Sequence, residues 1–424
     1  MIIVNNKIEN DYEQAKQKYN ELGINTDKIL DQLKIIPLSI HCWQADDVCG
    51  FEKAGAQLTG GGIQVTGNCP GKARNVEELL QDFEKILSLV PGTHRVNLHA
   101  IYGDFRGKIV DRNEISTEYF QRWINWAKEK DIKIDFNPSL FSHPKADHGF
   151  TLSDKSKKIR EFWVEHVKKC REISAEIGKQ LNDPCIHNIW IPDGMKDIPI
   201  DRAGFRALLK ESLDDIFSIK FSPSYLRDSL EGKLFGIGSE AFVVGSHDFY
   251  LSYAISNHKM LTIDTGHYHP TESIGDKISA ILPFIEGIVL HVSRGIRWDS
   301  DHVVILNDDL IQLTEEIVRN PDREKVHICT DWFDGSINRI GGYVLGCRAI
   351  LKGLLYALLQ PLDLLKEYEV NKQYFERLAL LEELKTLPFG SVWNYYCLKN
   401  EVPVEGEWNK EVDKYEKKVL SKRI

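Results

Sequence analysis

Residues 287–332 read GIVLHVSRGIRWDSDHVVILNDDLIQLTEEIVRNPDREKVHICTDW. A short apolar run, GIVLHVS (287–293), gives way to a polar loop, then to NDDLIQLTEEIVRN (307–320), then to a second β-type run, VHICTDW (326–332). Apolar residues on one helical face of the middle segment predict an amphipathic helix, and Asn307, Asp308 and Asp309 supply acceptors at its start. Strand, helix and strand in this order form a βαβ unit, whose strands run parallel.

The same alternation extends toward the N-terminus. Six further β-type runs precede the pair: IIPLSIH (35–41), RVNLHA (95–100), IKIDFNP (132–138), IHNIWIP (186–192), GKLFGIG (232–238) and MLTIDTG (260–266). Helical patterns lie between them, at 75–90, 116–130 and 158–181. Eight strands with interleaved helices predict an α/β protein, a (β/α)8 TIM barrel occupying residues 1–340. A doubly wound open sheet would carry a glycine-rich phosphate turn after its first strand, where this chain has His41, Cys42 and Trp43. After residue 340 the strand patterns stop, and 343–360, 371–387 and 407–422 read as helices. The segment 341–424 is therefore expected to be a helical extension packed on the barrel and in subunit contacts. Residues 44–74 make an unusually long first βα loop, a candidate lid.

An apolar fraction of 42% over 424 residues supports a large core. The net charge of −9, with no block of Lys and Arg to neutralise phosphates, argues against nucleic acid. No signal-like apolar segment opens the chain, and the longest apolar run, ISAILPFIEGIVLHV, is broken by Pro283 and Glu286, so neither secretion nor membrane insertion is expected. Eight scattered cysteines without a CxxC pair fit a reducing cytoplasm. A small soluble substrate is the expectation.

In a barrel of this kind the C-terminal strand ends converge on one open face. Here those ends are His41, His99, Asn137, Trp190 with Asp193, Glu231 with Lys233, Asp264 with His267, His291, and Asp331. A lone His or Asp at such a place is usually a satisfied polar residue or a turn former, but a ligating group on nearly every strand points to a site. Glu231, Asp264, His291 and Asp331 come from four successive strands. Three carboxylates and one imidazole suit Mg²⁺ or Mn²⁺, and the nitrogen tilts the set toward Mn²⁺ or another transition ion such as Zn²⁺ or Co²⁺. The loop after His291 can return Asp299 and Asp301 to the mouth, both on one side if the segment is extended. His267 is placed to complete that second set, and Asp264 could bridge the two. Two divalent ions could then polarise adjacent oxygens of a substrate, with Lys233 as a fixed positive charge nearby.

The stretches SIHCWQADDV, GGIQVTGNCPGKARN, NLHAIY, DFNPSLFSHP, NIWIPDGMKD, KLFGIGSE, DTGHYHPTE, LHVSRGIRWDSDHVV and SINRI, in order along nearly the whole chain, resemble the L-rhamnose isomerase family. Departures from the common pattern fall at Ala45, where Gly is expected, and at Cys69, where an aromatic residue is expected. The resemblance implies a cytoplasmic homotetramer of metal-dependent barrels interconverting L-rhamnose and L-rhamnulose. It implies one metal site on Glu231, Asp264, His291 and Asp331, and a catalytic Mn²⁺ site on His267, Asp299 and Asp301. It further implies that His99 assists ring opening, that Lys233 contacts the sugar oxygen near C1, and that Trp190 lies along the substrate. Aldose to ketose conversion needs charge stabilised on two neighbouring oxygens, which two Lewis-acid ions supply without an organic cofactor. A metal-mediated hydride shift is the preferred route. Proton transfer through an enediol, with a metal-bound water or Asp331 as base, is the alternative, as is a related isomerase or epimerase acting on a different aldose.

Overall fold

Short runs in which successive side chains point to opposite faces can close into a ring when each is followed by a helix that returns the chain to the same end. The computed structural model describes residues 2–52, 65, 67–232, 241–269, 271–296 and 298–423. The strands are β1 (Leu38–His41), β2 (His94–His99), β3 (Lys133–Asn137), β4 (Cys185–Trp190), β5 (Leu226–Glu231), β6 (Met260–Asp264), β7 (Ile288–Val292) and β8 (Val326–Thr330). All pair in parallel in chain order, and β8 returns to β1 through Leu38↔Ile328 and Ser39↔Cys329 to seal a closed barrel. The α/β TIM barrel expected from the sequence is the fold.

Seven of these strands coincide with the predicted runs to within a few residues, and the fifth does not. It spans Leu226–Glu231 instead of 232–238, and of the predicted stretch only Gly232 falls among the described residues. The physical reason is polarity on both faces. Ser229 and Glu231 point into the barrel, while Asp228, between Leu226 and Leu230 on the other face, is held by Arg171 Nε at 2.8 Å and Lys259 Nζ at 3.0 Å. A strand whose outward charge is neutralised by a helix carries no hydrophobic run to read.

Helices follow the strands on the outside, and six of them begin with a side chain accepting a backbone N–H: Asn75, Asp201, Ser246, Ser273, Asn307 and Asn338. Each such cap stabilises its helix by about 1 kcal/mol. Two helices, Ile2–Asn20 and Thr26–Lys34, precede β1, and four, Leu362–Val370, Tyr374–Leu384, Phe389–Lys399 and Glu407–Lys418, follow the last barrel helix. That barrel helix, Arg339–Leu358, is long and apolar enough to cross a membrane, but it is largely buried and packs against Asp308–Arg319 in the core.

The barrel interior is closed below the mouth. Ile186, Met260, Val289 and Cys329 form a small apolar cluster inside it. Beside them Asp135 accepts from Ser39 Oγ at 2.6 Å, the Ile186 amide at 3.0 Å, and Arg95 Nη2 and Nε at 2.7 and 2.9 Å. Burial alone would raise the Asp135 carboxyl, but the Arg95 guanidinium and these donors outweigh it and hold it below the usual carboxylate range.

A candidate metal centre at the barrel mouth

Because parallel strands end on one face, the last inward residue of each reaches the same opening. β5 ends on Glu231, β6 ends on Asp264, His291 is the penultimate residue of β7, and Asp331 follows β8. These four bring one ligand atom each to within 4.8 Å of one another. His291 Nδ1 lies 3.4 Å from Glu231 Oε1 and 3.2 Å from Asp331 Oδ2.

His267 stands on the turn after β6. Its Nδ1 donates to the Gly232 carbonyl at 3.2 Å, which turns Nε2 toward Asp299 Oδ2 at 3.4 Å and Asp264 Oδ2 at 3.9 Å. A Cβ at Gly266 would press to 3.0 Å on Asp299 Oδ1 and Ser293 Oγ, so both side chains would have to give way. The Gly266 amide donates to Asp264 Oδ1 at 2.6 Å, joined by Ser293 Oγ at 3.0 Å. Asp299 and Asp301 lie on an antiparallel ribbon, Arg294–Ile296 against Trp298–His302, that folds back after β7. The segment is not extended throughout, because Asp301 has a left-handed φ of 42°. Even so, Asp301 lines the same pocket as Glu231, His267, His291 and Asp331.

Among the described residues at the centre of the mouth, five carboxylates thus face the two imidazoles of His267 and His291, with His99 in the wall. The imbalance shows in the titration of the groups. Burial, and then the charges of Asp331, Asp301, Glu231 and Asp299, push the Asp264 carboxyl well above its ordinary value. Burial works against a charged His291, yet the Glu231 and Asp331 carboxylates raise it well above the usual imidazole range. Asp264 Oδ2 and His291 Nε2 are buried with no hydrogen-bond partner among the described residues. Carboxylates that repel one another around a buried oxygen with no donor among the described residues fit a divalent cation in chemistry and in charge.

The pocket wall is largely aromatic and apolar, built from Trp43, Val48, Phe141, Trp190 and Phe333 with His99. Trp43 Nε1 donates to Asp331 Oδ1 at 2.9 Å. His99 lies between Trp43 and Phe141, its Nδ1 3.2 Å from Ser139 Oγ, and burial lowers its pKa to about 4, so the ring is neutral at pH 7. Trp190 meets Phe141 edge-on at 5.7 Å.

Of the strand-end residues singled out in the sequence, the structure brings Glu231, Asp264, His267, His291, Asp299, Asp301, Asp331, His99 and Trp190 together at this mouth. Lys233 lies outside the described residues. Three others serve packing. His41 Nδ1 pairs with Thr330 Oγ1 at 2.5 Å, Asn137 Nδ2 donates to Asn97 Oδ1 at 2.6 Å, and Asp193 accepts from Thr151 and Ser153 hydroxyls at 2.5 Å. Sequence reasoning missed Asn188 and Thr262, whose side chains reach the site from below. The signal was their spacing, two residues before Trp190 and Asp264, which puts them on the same inward face.

The sequence pattern of the L-rhamnose isomerase family matches residues 6–423. A curated relative from Bacteroides thetaiotaomicron, named L-rhamnose isomerase, is 52% identical over 416 residues, covering 98% of this chain and 99% of the relative. One from Rhodopirellula baltica with the same name is 50% identical over 98% of this chain and 97% of its own length. A third, from an Enterobacter species, is 51% identical over 98% and 99%. At this identity and coverage, with the barrel and its acidic mouth in place, the chain belongs to the L-rhamnose isomerase family.

Proposed function

We propose that this chain interconverts the aldose L-rhamnose and the ketose L-rhamnulose in the cytoplasm, as a homotetramer that uses two divalent ions, with Mn²⁺ preferred at the catalytic site. One observation carries the reading: five carboxylates and two imidazoles from separate strands and loops converge on a pocket walled by aromatic rings. Glu231, Asp264, His291 and Asp331 would hold one ion, and His267, Asp299 and Asp301 the other. Bound there, divalent ions supply Lewis-acid stabilisation of the negative charge that develops on the sugar's O1 and O2.

The protein's own groups do the rest. Trp43, Phe141 and Trp190 present flat apolar surfaces that pack against a sugar and exclude water. His99, neutral at pH 7 and steadied through Nδ1 by Ser139, is suited to accept and return the hydroxyl proton when the sugar ring opens. Lys233 is assigned to the oxygen near C1. Asp331 accepts from the Trp43 indole and is itself assigned to the first ion. With the carboxylates of the mouth committed as ligands and none left free as a base at carbon, a direct hydride shift between C1 and C2 is favoured over abstraction of a carbon-bound proton through an enediol. Of the extension 341–424, the first stretch belongs to the barrel helix Arg339–Leu358, and the helices after it are assigned to subunit contacts, where Val370, Tyr374, Phe375 and Leu378 are exposed.

The test is a ketose assay on a panel of 6-deoxy and ordinary aldoses, after chelation and again after Mn²⁺ is restored. Loss on chelation, recovery with Mn²⁺ and a preference for L-rhamnose support the reading. Metal-independent turnover overturns it, and a stronger response to another aldose reassigns the substrate. Solvent deuterium appearing at C1 or C2 during turnover rules out the strict hydride shift.

A further inference from the structure

Glu231 is not equally free at its two oxygens. Asn188 Nδ2 donates to Glu231 Oε2 at 2.7 Å, and Thr262 Oγ1 donates to Asn188 Oδ1 at 2.7 Å. Thr262 has one proton and spends it on that carbonyl, so the 2.6 Å contact between Ser229 Oγ and Thr262 Oγ1 runs with Ser229 as donor. The chain therefore has a single direction, Ser229 to Thr262 to Asn188 to Glu231, and it links β4, β5 and β6 beneath the mouth. Both ends of the Asn188 amide are committed, so it cannot turn over. All four side chains are buried. Oε2 is occupied by the amide, whereas Oε1 faces His267 and His291, each at 3.4 Å.

We propose that Asn188 is a positioning residue that makes Glu231 a one-oxygen ligand and so sets which divalent ion the group Glu231, Asp264, His291 and Asp331 selects. The inference rests on the metal reading above. A carboxylate oxygen that accepts a short amide hydrogen bond is the poorer and more hindered donor of the two, so Glu231 is biased toward ligation through Oε1. Small octahedral ions such as Mg²⁺ and Mn²⁺ accept single oxygens at short distance, whereas Ca²⁺ takes six to eight oxygens and commonly grips carboxylates through both. The hydrogen-bond chain thereby favours Mn²⁺ over Ca²⁺, with Thr262 fixing the amide that enforces the choice.

The test strips the full-length protein of metal and titrates it with Mn²⁺ alone and with Ca²⁺ alone, following heat of binding and the unfolding midpoint. In Asn188→Ala the Mn²⁺ affinity is expected to fall about 10-fold to 100-fold, the range for loss of a group that orients a ligand. Ca²⁺ affinity is expected to hold or rise, so the Mn²⁺ to Ca²⁺ ratio drops at least tenfold. Thr262→Val, which keeps the amide but frees its carbonyl end, should lower the ratio by less and serves as the measurement if Asn188→Ala does not fold. Equal weakening of both ions, or an unchanged ratio, overturns the inference and leaves the metal reading intact. Failure of the unsubstituted protein to bind Mn²⁺ overturns both.

Discussion

The barrel holds two concentrations of buried charge, one at its floor and one at its mouth, and they obey opposite rules. At the floor, Asp135 is met by Arg95 through two nitrogens, by Ser39 and by the Ile186 amide, and Arg95 has Asp183 as a second partner. Every charge is answered. At the mouth, Asp264 looks onto four other carboxylates, and one of its oxygens has no donor among the described residues. Buried charge that is matched within the chain maintains the fold, and buried charge left unmatched calls for something from outside.

The contrast is sharpest where one carboxylate is made neutral in each region. Asp264→Asn keeps an oxygen for the Gly266 amide and the Ser293 hydroxyl but removes one negative charge from the cluster. Turnover in the ketose assay should fall by roughly two to three orders of magnitude, the scale seen when one charge-stabilising group is lost. In the metal-free protein the same change should raise the thermal midpoint, since it relieves repulsion. A lowered midpoint would break the comparison.

Asp135→Ala does the reverse. It leaves Arg95 buried with its principal partner gone, which should cost about 3–5 kcal/mol in denaturant unfolding, the range for breaking a buried ion pair. Turnover per folded molecule should stay near that of the parent. If activity disappears while stability holds, the floor is part of the site.

The smallest effect is a matter of sign with pH in metal-free protein. Asp264 titrates above its unfolded value, so its contribution is fully present below the ordinary carboxylate range and is lost as pH rises through the raised folded value. Asp135 titrates below its unfolded value, so its contribution is present above the ordinary range and is lost as pH falls through the lowered folded value. Mild acidification from neutrality should therefore stabilise the stripped protein before strong acid destabilises it. Asp264→Asn should flatten the first limb and Asp135→Asn the second, both read from unfolding midpoints across pH.

The sequence exposed the barrel because seven strands are apolar enough to read as runs and their helices carry one-sided apolar stripes. It exposed the mouth because ligating residues sit where those runs stop. β5 escaped because Asp228 interrupts its outward face and is neutralised only in space, by Arg171 and Lys259, from other elements. The floor pairing escaped for the same reason, since Arg95 and Asp135 lie forty residues apart. His41, Asn137 and Asp193 show the converse, polar strand ends that hydrogen-bond to neighbouring side chains and do not line the pocket.

The pocket lining divides along the chain. Trp43, Val48, His99, Phe141, Asn188 and Trp190 come from β1 to β4 and their loops, while Glu231, His267, His291, Asp301, Asp331 and Phe333 come from β5 onward. Under the proposed function, the first half of the chain would cradle the sugar and the second would hold the ions. Exchanges at Val48, Phe141 and Trp190, leaving Trp43 and Asn188 to hold Asp331 and Glu231, are the natural starting point for redesigning which sugar this scaffold accepts.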